Sequence, residues 1–152
     1  MPAILALLML VLAAIAPALH AVESDSDPVA ASDPDYAAGK KAIEARNWNA
    51  AIGFFSSAER RTPDNPDIQN YLGFAHRNAG RLDVALRHYQ RALKLDPRHR
   101  GAHEYIGEAY LMSGNPAKAE EHLATLKRIC PIRCEERDDL GKKIAAYKAR
   151  RK

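Results

Sequence analysis

An all-α array of three stacked helix–turn–helix units, closed by a C-terminal helix, is the fold this sequence predicts. Gly39, Gly73 and Gly107 lie 34 residues apart, as do Ala51, Ala85 and Ala119, and Pro63, Pro97 and Pro131. Each alanine is followed four residues later by a bulky side chain (Phe55, Tyr89 and Leu123), on the same helical face. Helix starts are marked by a capping side chain and proline at Asp33-Pro34, Asn65-Pro66 and Asn115-Pro116.

Each repeated position has a physical reason. The glycines fall in the first helix of each unit, where the missing side chain admits a close neighbour. The alanines open the facing surface of the second helix, and Phe55, Tyr89 and Leu123 fill the gap to the next unit. The prolines stop the second helix and turn the chain onward. Asn47 before Trp48 is a further cap, and Gly80 and Gly114 end helices. Helices are expected near 34–46, 48–61, 67–79, 82–95, 101–113 and 116–129.

Outside the three units, residues 1–21 hold an almost unbroken apolar run from Ile4 to Ala16. That length suits a secretory signal and is short for a membrane span. Cleavage is expected after about Ala18 or Ala21, placing the mature chain in the periplasm or outside the cell; an uncleaved anchor is the alternative. No Lys or Arg precedes the run. Residues 22–32 are acidic, Pro-containing and without apolar period, and read as a linker. The array occupies 33–149, with units about 32–65, 66–99 and 100–133 and a capping helix over 134–149. Gly141 lies 34 residues beyond Gly107, and Leu140, Ile144 and Tyr147 form an apolar stripe that covers the open end of the stack. Glu136, Asp139, Lys142, Lys143 and Arg150 are assigned to the opposite, charged face. Residues 150–152 form a basic tail, which complements the helix dipole; contact with anionic headgroups is the lesser reading.

The chain has 152 residues, 47% of them hydrophobic, which is enough to bury a core. A formal charge of +4, spread among 23 basic and 19 acidic residues, points to a mixed solvated surface and away from nucleic acid. Cys130 and Cys134, an even pair in an exported chain, are expected to join as a disulfide across the turn before the capping helix. Free thiols, a redox-active pair and a metal site are weaker alternatives, since the spacing is not Cys-x-x-Cys and two thiols half-make a zinc site. His99 and His103 are read as capping or surface groups, His76 as a core-edge residue, and His88 as part of an outer basic face with Arg87, Arg91 and Lys94. There is no Gly-rich phosphate loop, HExxH or Gly-x-Ser-x-Gly motif, so neither catalysis nor a cofactor is expected.

The middle copy, with Leu72-Gly73, Ala85, Tyr89, Ala92 and Pro97 in and around GRLDVALRHYQRALKLDP, resembles the tetratricopeptide repeat. The other copies keep the pattern with losses: Ala38 and Ile106 replace the leucine, and Ala42 and His76 replace an aromatic that Tyr110 retains. The ending CPIRCEERDDLGKKIAAYKA is similar to that of short exported bacterial repeat proteins. The resemblance implies a right-handed α-solenoid whose concave groove, lined by the first helices, binds an extended peptide or a helix of another protein. The groove positions it implies are Tyr36, Lys40 and Ile43; Asn70, Phe74, Arg77 and Asn78; and Glu104, Glu108, Leu111 and Met112, with Tyr105 at the edge. Lys40, Asn70 and Arg77 partly imitate the family's carboxylate clamp, but Glu104 and Glu108 would repel a carboxylate, so a ligand of mixed charge is expected. The resemblance thus implies a non-catalytic adaptor. A thiol-dependent periplasmic factor using Cys130 and Cys134 is the alternative, and self-association is a further possibility.

Overall fold

A computed structural model describes residues 32–150; the signal segment, all but the end of the linker, and Arg151-Lys152 lie outside the described residues. Seven helices occupy them: α1 (Pro34–Glu44), α2 (Trp48–Arg61), α3 (Pro66–Asn78), α4 (Leu82–Leu95), α5 (Arg100–Met112), α6 (Pro116–Ile129) and α7 (Glu135–Ala149). Among the described residues no strand is present, and no helix is long and apolar enough to cross a membrane. Every helix packs on its sequence neighbours, while α3 meets α5 and α5 meets α7. The first helices of successive units therefore share one side of the stack.

Side-chain caps account for the helix starts. Asp33 accepts from the amides of Asp35 and Tyr36, Asn47 from Ala50, Asn65 from Ile68 and Asn115 from Lys118. His99 caps α5 by accepting from the amide of Ala102, and its Nε2 lies 3.0 Å from Asp67 Oδ1. Gly80 and Gly114 take φ of +79° and +75° just after α3 and α5. Arg46 stands at the equivalent place after α1 with φ 54°. A left-handed residue there explains why α1 stops at Glu44 instead of reaching residue 46: arginine carries no signal for that conformation, which costs it about 1–2 kcal/mol.

The repeated glycines lie under the bulky residues of their neighbours. A Cβ on Gly39 would come within 2.7 Å of the Phe55 ring, and one on Gly73 within 2.6 Å of Tyr89. Phe55 and Tyr89 are fully buried, as are Ala51, Ala58, Ala85 and Ala92. The third unit differs from expectation. Over Gly107 lies Leu140 of α7, and not Leu123; a Cβ on that glycine would meet the Leu140 side chain at 2.7 Å. Leu123 is half-buried and would lie 3.9 Å from a Cβ on Gly141. The difference lies in which helix arrives: the closing helix α7 lays Leu140 over Gly107, while Leu123 of α6 lies beside Gly141 of that same helix.

Candidate functional site

On α3, Asn70, Phe74 and Arg77 stand at i, i+4 and i+7; on α5, Glu104, Glu108, Leu111 and Met112 stand at i, i+4, i+7 and i+8. Each set is one helical stripe, and contact between α3 and α5 brings the two stripes together. The Phe74 ring lies 5.0 Å from that of Tyr105, and the Arg77 guanidinium sits 5.3 Å from Phe74 and 5.5 Å from Tyr105. Arg77 also pairs with Glu108, and both side chains are largely buried, at 9% and 13% exposure. Trp48, at the start of α2, extends the aromatic line by packing edge-on against Phe74 at 6.1 Å. In the sequence Trp48 stands out only as the residue after a cap; its first-turn position beside the groove is the signal that could have placed it.

Lys143 changes the electrostatics. Assigned from sequence to the outer charged face of the last helix, it instead points inward, pairing with Glu108 and lying 3.4 Å from Glu104. Its position four residues before Tyr147, on the apolar stripe, is the signal for that placement. Burial pushes Glu104 up, against the pull of Lys143, to about 7. Burial also acts upward on Glu108, but Arg77 and Lys143 outweigh it and hold that carboxyl below its ordinary range. The expectation of an acidic groove end awaiting a mixed-charge ligand is therefore corrected, since both carboxylates are already neutralised within the chain.

The first unit contributes less than the resemblance implied. Tyr36 is buried to 2% exposure against Phe55 and Tyr71, so its ring belongs to the core and offers no groove surface. Lys40 is exposed, with its ammonium 6.0 Å from the Tyr36 ring. Asn70 and Glu104 are nearly covered, and Asn70 Oδ1 is buried without a hydrogen-bond partner. Phe74 and Tyr105 are half-buried and Met112 is 60% exposed. The accessible surface thus runs from Trp48 through Phe74 and Tyr105 to Met112.

Four histidines pair off between helices. His88 is not on a solvated face: its ring stacks on His76 at 5.3 Å, and its Nδ1 lies 2.9 Å from Gln69 Oε1. In the third unit His103 Nδ1 lies 2.9 Å from His122 Nδ1, and His103 Nε2 lies 3.0 Å from the Pro97 carbonyl. A carbonyl only accepts, so neutral His103 donates from Nε2 and its Nδ1 accepts from His122 Nδ1–H. Burial first, then His103 and Lys118, push His122 down to about 4. Burial also lowers His103, against the pull of the Pro97 carbonyl. The folded state thus binds fewer protons than the unfolded chain between the ordinary histidine range and about pH 4, and stability falls as pH drops through that window. Glu104, raised to about 7, acts in the opposite sense, so the histidine effect is best read as a difference. In His122→Phe the loss of unfolding free energy between pH 7 and pH 4.5 should shrink by about 1–2 kcal/mol, a figure reduced for the ring's partial exposure. Urea titrations at the two pH values measure it.

Cys130 caps the end of α6 and Cys134 the start of α7. Their Cα atoms are 5.7 Å apart with the two sulfurs in contact, a separation that suits a disulfide. The Glu136 carboxylate joins the sulfurs within 4.8 Å. Arg100 also reaches this group, with Nη1 3.8 Å from Cys130 Sγ and Nε 3.7 Å from Glu136, and its charge opposes a cation there. Arg137 donates to the carbonyls of Cys130 and Pro131 and fixes the same turn.

A stack of helical hairpins with a continuous inner face defines the class: a repeat scaffold that presents a surface. Residues 36–86 and 73–131 match the tetratricopeptide repeat family model, and the chain belongs to that family. A TPR repeat-containing thioredoxin of Arabidopsis thaliana, TTL4, is 28% identical over 94 residues, covering 62% of this chain and 14% of that protein. The chain therefore spans about one seventh of this curated relative's length. Among solved structures, the Yersinia enterocolitica type III secretion translocator chaperone SycD aligns with TM-score 0.69 at 17% identity, covering 77% of this chain and 83% of that one. The TPR2B domain of yeast Sti1, in complex with pHsp70, aligns with TM-score 0.67 at 18% identity over 74% of this chain and 94% of that one. The first TPR of Spaghetti (RPAP3), bound to an HSP90 peptide, aligns with TM-score 0.64 at 20% identity over 73% and 87%. At these identities the likeness establishes the fold.

Proposed function

We propose that this chain is a non-catalytic adaptor of an exported compartment, which holds a peptide or helix of another protein along its inner face. The observation that carries the reading is the half-buried aromatic line Trp48–Phe74–Tyr105, which crosses all three units and stays accessible along its length. Aromatic side chains in partly covered sites are favoured anchors for a partner. Two of the structural neighbours are complexes, one with pHsp70 and one with an HSP90 peptide, which supports a protein ligand for this fold. The redox alternative is not supported: the relative named for thioredoxin is matched over only 14% of its length, and its name describes that protein.

Photo-crosslinkers at Lys40 and Phe74, compared with one at the exposed Arg87 of α4, test the groove. The same partner should be captured from the inner positions and not from Arg87. Equal capture from all three removes the groove from the account. Export is tested separately through the cysteines. In the protein recovered from the exporting cell, Cys130 and Cys134 should resist thiol reagents until reduced, as expected of a disulfide pinning α7 to α6. Rapid labelling without reductant would count against both the bond and the oxidising compartment.

A further inference from the structure

Beyond the ion-paired centre the inner face continues into a cleft of about 390 Å³ between the ends of α5 and α7. Its α7 wall is Lys143, Ala146, Tyr147 and Arg150, at i, i+3, i+4 and i+7, which is one face of that helix. Its α5 wall is Leu111 and Met112. The repeat pattern treats α7 as a lid over the open end of the core, and Leu140 and Ile144 fill that role, both buried. Tyr147 and Ala146 continue beyond the lid, and Met112, facing them, is among the three exposed large hydrophobic residues of the described chain. The charges in the cleft are unequal. Of the lining charges, Arg77 and Lys143 both pair with Glu108, and Lys143 also lies 3.4 Å from Glu104, which is not part of the lining. Arg150 is exposed, makes no ion pair among the described residues, and is followed in sequence by Arg151 and Lys152.

We infer that this cleft is a second, distal part of the binding surface, and that it takes an acidic peptide segment carrying one large apolar side chain. The inference rests on the adaptor reading above and specifies its ligand's chemistry. The apolar side chain seats between Met112 and Tyr147, where an unbranched, polarizable methionine adapts to its shape. A carboxylate of the same segment meets Arg150, which alone can offer a bidentate pair without breaking an existing one. A basic segment is disfavoured at this end, because the acid of the lining, Glu108, is already paired and Arg150 repels it.

The test uses three fluorescein-labelled decapeptides: one of Asp and Glu with a single central Leu, one with Lys replacing every acid, and one with Ser replacing the Leu. Anisotropy with the whole protein should show binding of the first that is at least tenfold tighter than of the other two, and weaker at higher salt. Amide chemical shifts should move in the last turns of α5 and α7. Met112→Ser and Arg150→Glu alter exposed side chains, so folding is not at risk; each should weaken the acidic peptide at least fivefold, while Arg87→Glu, on the exposed face of α4, should leave it unchanged. Equal binding of all three peptides, or shifts confined to Lys40 and Phe74, would overturn the inference while leaving the groove reading standing. No binding of the acidic peptide at millimolar concentration would also overturn it; the adaptor reading is decided separately by the crosslinking contrast with Arg87. If deleting residues 23–31 abolishes self-association and frees the cleft, the occupant is this chain's own acidic segment, and the inference of a separate partner fails.

Discussion

Replacing Arg77 by alanine is expected to destabilise the fold by about 2–4 kcal/mol, more than any other groove substitution. The guanidinium lies against both the Phe74 and the Tyr105 ring and pairs with Glu108 at 9% exposure. Removing it leaves a carboxylate largely out of water with Lys143 as its remaining partner, and takes away the cation that lies against two aromatic rings. The cost arises from the abandoned charge more than from the lost attraction. Arg77→Met with Glu108→Gln should therefore recover most of the loss, because neither remaining side chain is ionised. Urea midpoints of Arg77→Met, Glu108→Gln and the double variant form the cycle that measures this coupling. Equal losses in Arg77→Ala and in the double variant would show that packing, and not charge, sets the cost. The same cycle bears on function: a partner that needs a free Arg77 must first break the pair with Glu108, so the accessible anchors are the rings.

The second large effect belongs to the closing helix. Leu140→Ala should cost about 2–5 kcal/mol, and Leu123→Ala less, about 1–2 kcal/mol. Leu140 is fully buried over Gly107, whereas Leu123 is half-buried beside Gly141. In a stack where each unit touches only its neighbours, loss of the terminal contact is felt first at that end. Amide exchange should accelerate in α7 and α5 before α1 and α2. Because Lys143 lies one turn beyond Leu140 on α7, loosening this helix should also raise the mobility of Glu104 and Glu108. A larger loss for Leu123→Ala than for Leu140→Ala would restore the simple repeat rule for the third unit.

The fold was legible because its signal is periodic. Glycine, alanine and proline recurring at 34 residues state a stack, and the caps at Asp33, Asn47, Asn65 and Asn115 state where helices begin. Where the period carries an unusual residue, the sequence is a poorer guide. Arg46 ends α1 early in a conformation that only glycine advertises, and His88 stacks on His76 although Arg87 and Arg91, close to it in sequence, are exposed cations. The candidate site was legible as a set of positions and not as a set of roles. Phe74, Arg77, Tyr105 and Glu108 follow from their place in the repeat, and they do meet. Tyr36, placed by the same rule, is taken by the core.

By itself the sequence determined the order and number of helices, the turns between them and the glycine surfaces on which they pack, because these follow from local spacing along the chain. Only the tertiary structure decided that Leu140 closes the third unit, that Lys143 and Arg77 neutralise Glu104 and Glu108, and that Arg150 stands beside Met112 with no ion pair among the described residues. Those outcomes depend on which side chains from distant helices arrive at one place and what charge each finds there. A helical period fixes the face on which a residue stands, while its partners are fixed by the packing of the next helix.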